Sequence, residues 1–138
     1  MKIKGKHEFK CGDPEQVWEL LMDFKFLSNI IPKLKDVNQV DDHKFKGKLP
    51  VKMFGFTKNV KITFTLKQVK KPKSFRLIAK GGGIKGTGNF LLAQKKAGTT
   101  VRYRVDVTKW LGKKIKKGLP KLFDKIDKEC CKENGDAH

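Results

Sequence analysis

The sequence predicts an α+β fold: seven antiparallel strands curved around one long C-terminal helix, with two short helices after the first strand. Three observations carry this. Apolar and charged residues alternate over residues 2–11 and again, segment after segment, from Leu34 to Lys109. A capped helix start, Asp13-Pro14-Glu15-Gln16, interrupts the alternation early in the chain. From Leu111 onward the apolar residues return at helical spacing.

Residues 2–11 place Ile3, Gly5, His7, Phe9 and Cys11 on one face and Lys2, Lys4, Lys6, Glu8 and Lys10 on the other, as in a half-buried strand. Gly12 ends it. Asp13 suits the N-cap, Pro14 the first helical position and Gln16 the closing side of a capping box. Val17, Leu20, Leu21 and Phe24 follow at helical spacing. A second short helix, over 24–31, would bury Leu27, Ile30 and Ile31 and stop before Pro32.

The remaining strands are predicted at 34–41, 43–52, 57–70, 73–80, 85–95 and 99–109. In the second of these His43, Phe45, Leu49 and Val51 oppose Lys44, Lys46, Lys48 and Lys52; in the third Val60, Ile62, Phe64 and Leu66 oppose Lys61 and Lys67. In the last, Val101, Tyr103, Val105 and Val107 oppose Arg102, Arg104 and Asp106. Short connections make these six strands an antiparallel meander with one wet face. In the C-terminal helix Leu111, Ile115, Leu119, Leu122, Ile126 and Cys130 form one stripe, with Phe123 beside it. Pro120 lies inside that helix and is expected to kink it near Lys116 to Leu119. A one-faced sheet and one amphipathic helix bury their apolar surfaces by wrapping the sheet around the helix, the short helices plugging one end. This is the helix-grip arrangement, a single domain over 1–138.

The chain carries 33 Lys+Arg against 14 Asp+Glu, a net charge of +19. Residues 43–121 hold 23 basic side chains and one acid, Asp106, while the flanking segments are slightly acidic. Such a segment attracts polyanions: nucleic acid, an anionic bilayer or an acidic protein. A Lys-rich proteome or a hot habitat would raise the same count without any such role. No apolar run is long enough to span a bilayer and Met1 to Lys6 lack a signal peptide's apolar core, so the expected compartment is the cytoplasm. Three cysteines without Cys-x-x-Cys or zinc spacing read as reduced thiols, Cys11 in the core and Cys130 and Cys131 at a helix end. No metal site or cofactor is predicted.

The opening Lys2-Ile3-Lys4-Gly5, the run Asp13-Pro14-Glu15-Gln16-Val17-Trp18-Glu19-Leu20-Leu21, Leu27-x-x-x-Ile31-Pro32 and the Gly-rich Gly83-Ile84-Lys85-Gly86-Thr87-Gly88 resemble the START/SRPBCC (Bet v 1-like) superfamily. Within it the chain looks most like the carbon monoxide dehydrogenase CoxG family. The resemblance implies a hydrophobic ligand cavity and a helper role in maturing a molybdenum hydroxylase or recruiting it to a membrane.

Gly81-Gly82-Gly83-Ile84-Lys85-Gly86 matches the dinucleotide fingerprint G-x-G-x-x-G, but a strand rather than a helix follows it. A glycine-rich hairpin is the expectation, with Gly86 and Gly88 leaving volume on the inner face. Strand and helix phase name an inner lining for an apolar molecule or lipid: Phe45, Leu49, Ile62, Phe64, Phe75, Leu77, Phe90, Leu92 and Val105, facing Ile115, Leu119, Leu122 and Phe123. His7 and Tyr103 are the candidate polar contacts in that cavity, and the residues a polyketide-cyclase-like enzyme would use. No catalytic relay is placed around them. Lys44, Lys46, Lys48, Lys61, Arg76, Arg102 and Arg104 face outward, and Lys113 and Lys117 add a basic strip on the helix. Aromatics are absent from that outer phase and Arg is scarce, which favours anionic lipid over nucleic acid as its partner.

Overall fold

The computed structural model describes residues 1–96 and 98–134. Strand β1 (Lys2–Phe9) leads to helix α1 (Pro14–Leu21), helix α2 (Phe24–Leu27) and a single 3-10 turn, Ser28–Ile30. Strands β2 (Lys35–Asp41), β3 (Lys44–Met53), β4 (Phe56–Lys70), β5 (Ser74–Gly81), β6 (Ile84–Lys95) and β7 (Gly98–Val107) follow, and helix α3 (Lys109–Asn134) comes last. The strands form one antiparallel sheet in the order β1-β7-β6-β5-β4-β3-β2. The meander is the predicted one, and β1 adds beside β7 at its far edge, with His7 opposite Val101.

Local chemistry sets the helix starts. Asp13 caps α1 through a complete capping box with Gln16, and Asp23 caps α2 by accepting from the Lys25 amide. The core lies between the sheet's inner face and α3, whose stripe from Leu111 to Cys130 is buried as the periodicity predicts. The helix runs continuously from Lys109 to Asn134 with Pro120 exposed inside it. At Gly118 the helix backbone lies so close to the 3-10 turn that a Cβ there would collide with the Ile30 carbonyl oxygen.

Two sequence expectations are corrected. His43 is exposed in the β2–β3 turn rather than on the inner face, because β3 begins one residue later than its alternation suggested. Cys11 and Cys131 are not separate reduced thiols: they form a disulfide across 120 positions. On α3 successive side chains point about 100° apart, so Cys130 enters the core while Cys131 turns toward the end of β1. The glycine-rich segment is the expected hairpin. Gly82 and Gly83 both take positive φ, 56° and 81°, between paired strands β5 and β6.

Candidate functional site: the seam between sheet and helix

The apolar residues of the predicted inner lining are buried, while Val60, assigned to the same inner phase of β4, is half-buried. Much of the space they enclose is filled by their own rings. Trp18 meets Phe75 edge-on at 5.6 Å between centroids, Phe75 stacks on Phe90 at 4.9 Å, and Tyr103 and Phe123 continue the row to His7 and Phe9. A second stack, Phe24, Phe45 and Phe64, fills the side under α2. Leu49 and Ile62 belong to the same buried cluster, as do Leu92, Leu119 and Leu122.

Among the described residues a space of about 20 Å³ lies open where the first turns of α3 cross the sheet. That volume holds one water, not a lipid. Phe64, Leu77, Phe90, Val105 and Ile115 from the predicted lining border it, joined by Ile30, Ile31, Ala79, Val107 and Leu111. Its floor is Gly86 and Gly88, the two inner positions of β6 without side chains. Thr87, whose side chain alternates to the outer face between Gly86 and Gly88, is the one residue of that border with a polar side chain, so no acid, base or nucleophile of the described lining converges there. Leu111, Ile30 and Ile31 were legible as buried residues; their place at this space depends on how α3 crosses the 3-10 turn.

His7 sits elsewhere. Its Nε2 lies 2.8 Å from Asp127 Oδ2 on α3, and its ring stacks on Phe123 at 4.9 Å. Asp127 also accepts from the Lys10 amide at 3.3 Å. With the Cys11–Cys131 bridge and a Lys125–Asn29 hydrogen bond of 2.8 Å, these contacts tie down the C-terminal half of α3. Tyr103 lies between Phe90 and Phe123, half-buried, with its hydroxyl over Gly5 of the edge strand β1. No three His, Cys, Asp or Glu of the described residues could hold a metal ion together.

The outer face carries Lys44, Lys46, Lys48, Lys61, Arg76, Arg102 and Arg104, and Lys113 and Lys117 are exposed on α3. Lys48 pairs with Asp36 at 3.7 Å; the others have no ion pair among the described residues. Sequence reasoning passed over the β3–β4 connection. Its turn exposes Phe54 by 93% and Phe56 by 58%, between Lys52 and Lys58. The signal was present as two phenylalanines around Gly55 in a segment without an acid.

Among described residues no helix is long and apolar enough to cross a membrane. No curated protein sequence matches this chain. Its fold is shared by a conserved protein from Geobacillus kaustophilus (TM-score 0.77, 23% identity, 97% of each chain covered). It is also shared by a START superfamily protein from Mycobacterium smegmatis (TM-score 0.67, 13% identity, covering 93% of this chain and 97% of that one). Ara h 8.0201 is a third (TM-score 0.67, 11% identity, covering 96% and 98%). These likenesses establish the helix-grip fold. The family model of carbon monoxide dehydrogenase CoxG matches residues 8–117, well over half the sequence, and the chain therefore belongs to that family.

Proposed function

We propose that the protein binds an apolar small molecule or lipid chain between sheet and α3, without catalysing a reaction. The observation that carries this reading is an asymmetry of the seam. At one end α3 is held by Asp127 and Cys131; at the other, residues 109–120 make no side-chain hydrogen bond or ion pair among the described residues. Beneath that second end lie the glycine floor and the small apolar space. A ligand enters when the first turns of α3 lift, exchanging helix–sheet contacts for ligand–sheet contacts of the same apolar kind. A cyclase-like reaction lacks support, because polar groups do not converge on that space.

Native mass spectrometry of the purified protein tests the reading, with a fluorescent fatty acid as the probe for titration. Wild type should carry or take up an apolar molecule, and Gly88→Val, whose added carbons press on the Phe90 ring at the floor, should weaken uptake about ten-fold for the loss of ligand contact area. Uptake equal in both proteins, or none in either, counts against the seam.

A second reading concerns where the ligand is collected, and the Phe54–Phe56 turn favours it. Two exposed aromatic rings ahead of a collar of lysines match the depth profile of an anionic bilayer surface, rings below the headgroups and ammonium groups at the phosphates. Phe56 shares the inner phase of β4 with Phe64 at the seam, about 26 Å along the strand. The protein would thus touch a membrane with the hairpin arm that leads to its ligand space. Family membership makes a carbon monoxide dehydrogenase-type molybdenum hydroxylase the enzyme it would serve, in maturation or membrane recruitment.

A further inference from the structure

The chain has 30 lysines but only three arginines, Arg76, Arg102 and Arg104. All three project from the outer face, Arg76 from β5 and Arg102 and Arg104 from β7, the two strands that flank β6. Strand register puts Arg104 on β7 opposite Asn89 on β6, and Asn89 opposite Arg76 on β5. One rung along, Arg102 stands opposite Leu91, which stands opposite Ser74. Strand β6 is therefore the floor of a trough with guanidinium walls whose Cα atoms are about 10 Å apart.

Two surface grooves meet on β6. A groove of about 620 Å³ runs between β1, β7 and β6, another of about 510 Å³ between β6, β5 and the end of β4, and both are bordered by Asn89 and Leu91. None of the described ion pairs uses an arginine. The Arg76 Nε is shielded from solvent yet has no hydrogen-bond partner among the described residues. A buried donor of that kind calls for an acceptor, and Nε is one tine of the fork with which arginine grips a carboxylate or phosphate side-on. Leu91, 57% exposed between the walls, supplies an apolar contact in the same trough.

The geometry points to a docking site for an acidic protein segment, with carboxylates on the arginine forks and an apolar side chain on Leu91. Generic attraction is already supplied by lysine. Arginine adds planar, two-pronged recognition, which a carboxylate matches and a diffuse counterion cloud does not use. Single-stranded nucleic acid would want stacking rings, and Phe75, Phe90 and Tyr103 of these strands all belong to the inner phase. A bilayer would want apolar groups that protrude, and those are on the β3–β4 turn. This site is independent of what the seam holds.

Fluorescence anisotropy tests it, using a labelled peptide of Glu, Asp and Leu as the probe and the full chain as the binder. The charge-preserving variant Arg76→Lys/Arg102→Lys/Arg104→Lys should bind about ten-fold more weakly, from the loss of bidentate contacts. Arg102→Lys/Arg104→Lys, changing only exposed residues, repeats the test should Arg76 be needed for folding. Lys44→Gln/Lys46→Gln/Lys61→Gln removes three charges from the same face and should weaken binding less than the arginine exchange. Equal binding by the arginine-to-lysine variants overturns the proposal. So does arginine-dependent binding of duplex DNA or phosphatidylserine vesicles with none of the peptide.

Discussion

His7 on β1 and Asp127 on α3 face each other at 2.8 Å across 120 positions of sequence. The histidine that phase alone offered as a polar ligand contact is spent on holding the last helix to the first strand. The pair is half-buried, with about a quarter to a third of each side chain exposed. Asp127→Ala removes this bond and the one from the Lys10 amide, and should cost about 1–3 kcal/mol in urea unfolding. An unchanged midpoint would show that α3 is not anchored there.

The Cys11–Cys131 bridge closes nearly the whole chain into a loop. Cys11→Ser, or reduction of wild type, should lower stability by about 2–4 kcal/mol, read as a drop in melting temperature. If dithiothreitol leaves the melt of wild type unaltered, the bridge is not part of the folded protein's stability.

Gly118 reverses an ordinary rule. Glycine to alanine inside a helix usually stabilises by about 0.5–1 kcal/mol. Here the added methyl meets the Ile30 carbonyl oxygen, so Gly118→Ala should instead destabilise by about 1–3 kcal/mol through overpacking. A more stable variant would mean that the helix and the 3-10 turn part easily.

Phe54 and Phe56 contribute little to the fold at their exposure. Phe54→Ser/Phe56→Ser should leave the melt within about 0.5 kcal/mol of wild type. Its sedimentation with phosphatidylserine vesicles should fall about ten-fold or more, since each ring removed forfeits its buried apolar area. Undiminished sedimentation would move membrane contact away from this hairpin.

Exposed pairs set a small pH dependence. The Lys95 ammonium, hydrogen-bonded to Glu8, holds that carboxyl below its usual value. The contribution is therefore present above the ordinary carboxylate range and is lost as pH falls through the lowered value. Glu19 raises Lys71, whose contribution is present at neutral pH and lost as pH climbs through the raised value. NMR titration of Lys95→Ala should return the Glu8 carboxyl toward its ordinary value; no movement would break the pairing.

Sequence periodicity alone determined the element order, the meander, the α1 capping box, the buried stripe of α3 and the outward direction of the charge. The elements and their faces depend on neighbours two to four residues apart, the range over which alternation and capping act, and the meander on the short connections between strands. Only the tertiary structure decided what those faces meet. It turned Cys131 toward Cys11, gave His7 to Asp127, and packed the aromatic rows until about 20 Å³ stayed open beside Gly86 and Gly88. It also brought Arg76 on β5 and Arg102 and Arg104 on β7 to the two sides of Asn89 and Leu91 on β6. These outcomes hinge on strand register and on the line α3 takes across the sheet, which join residues far apart in the chain and leave no local period to read.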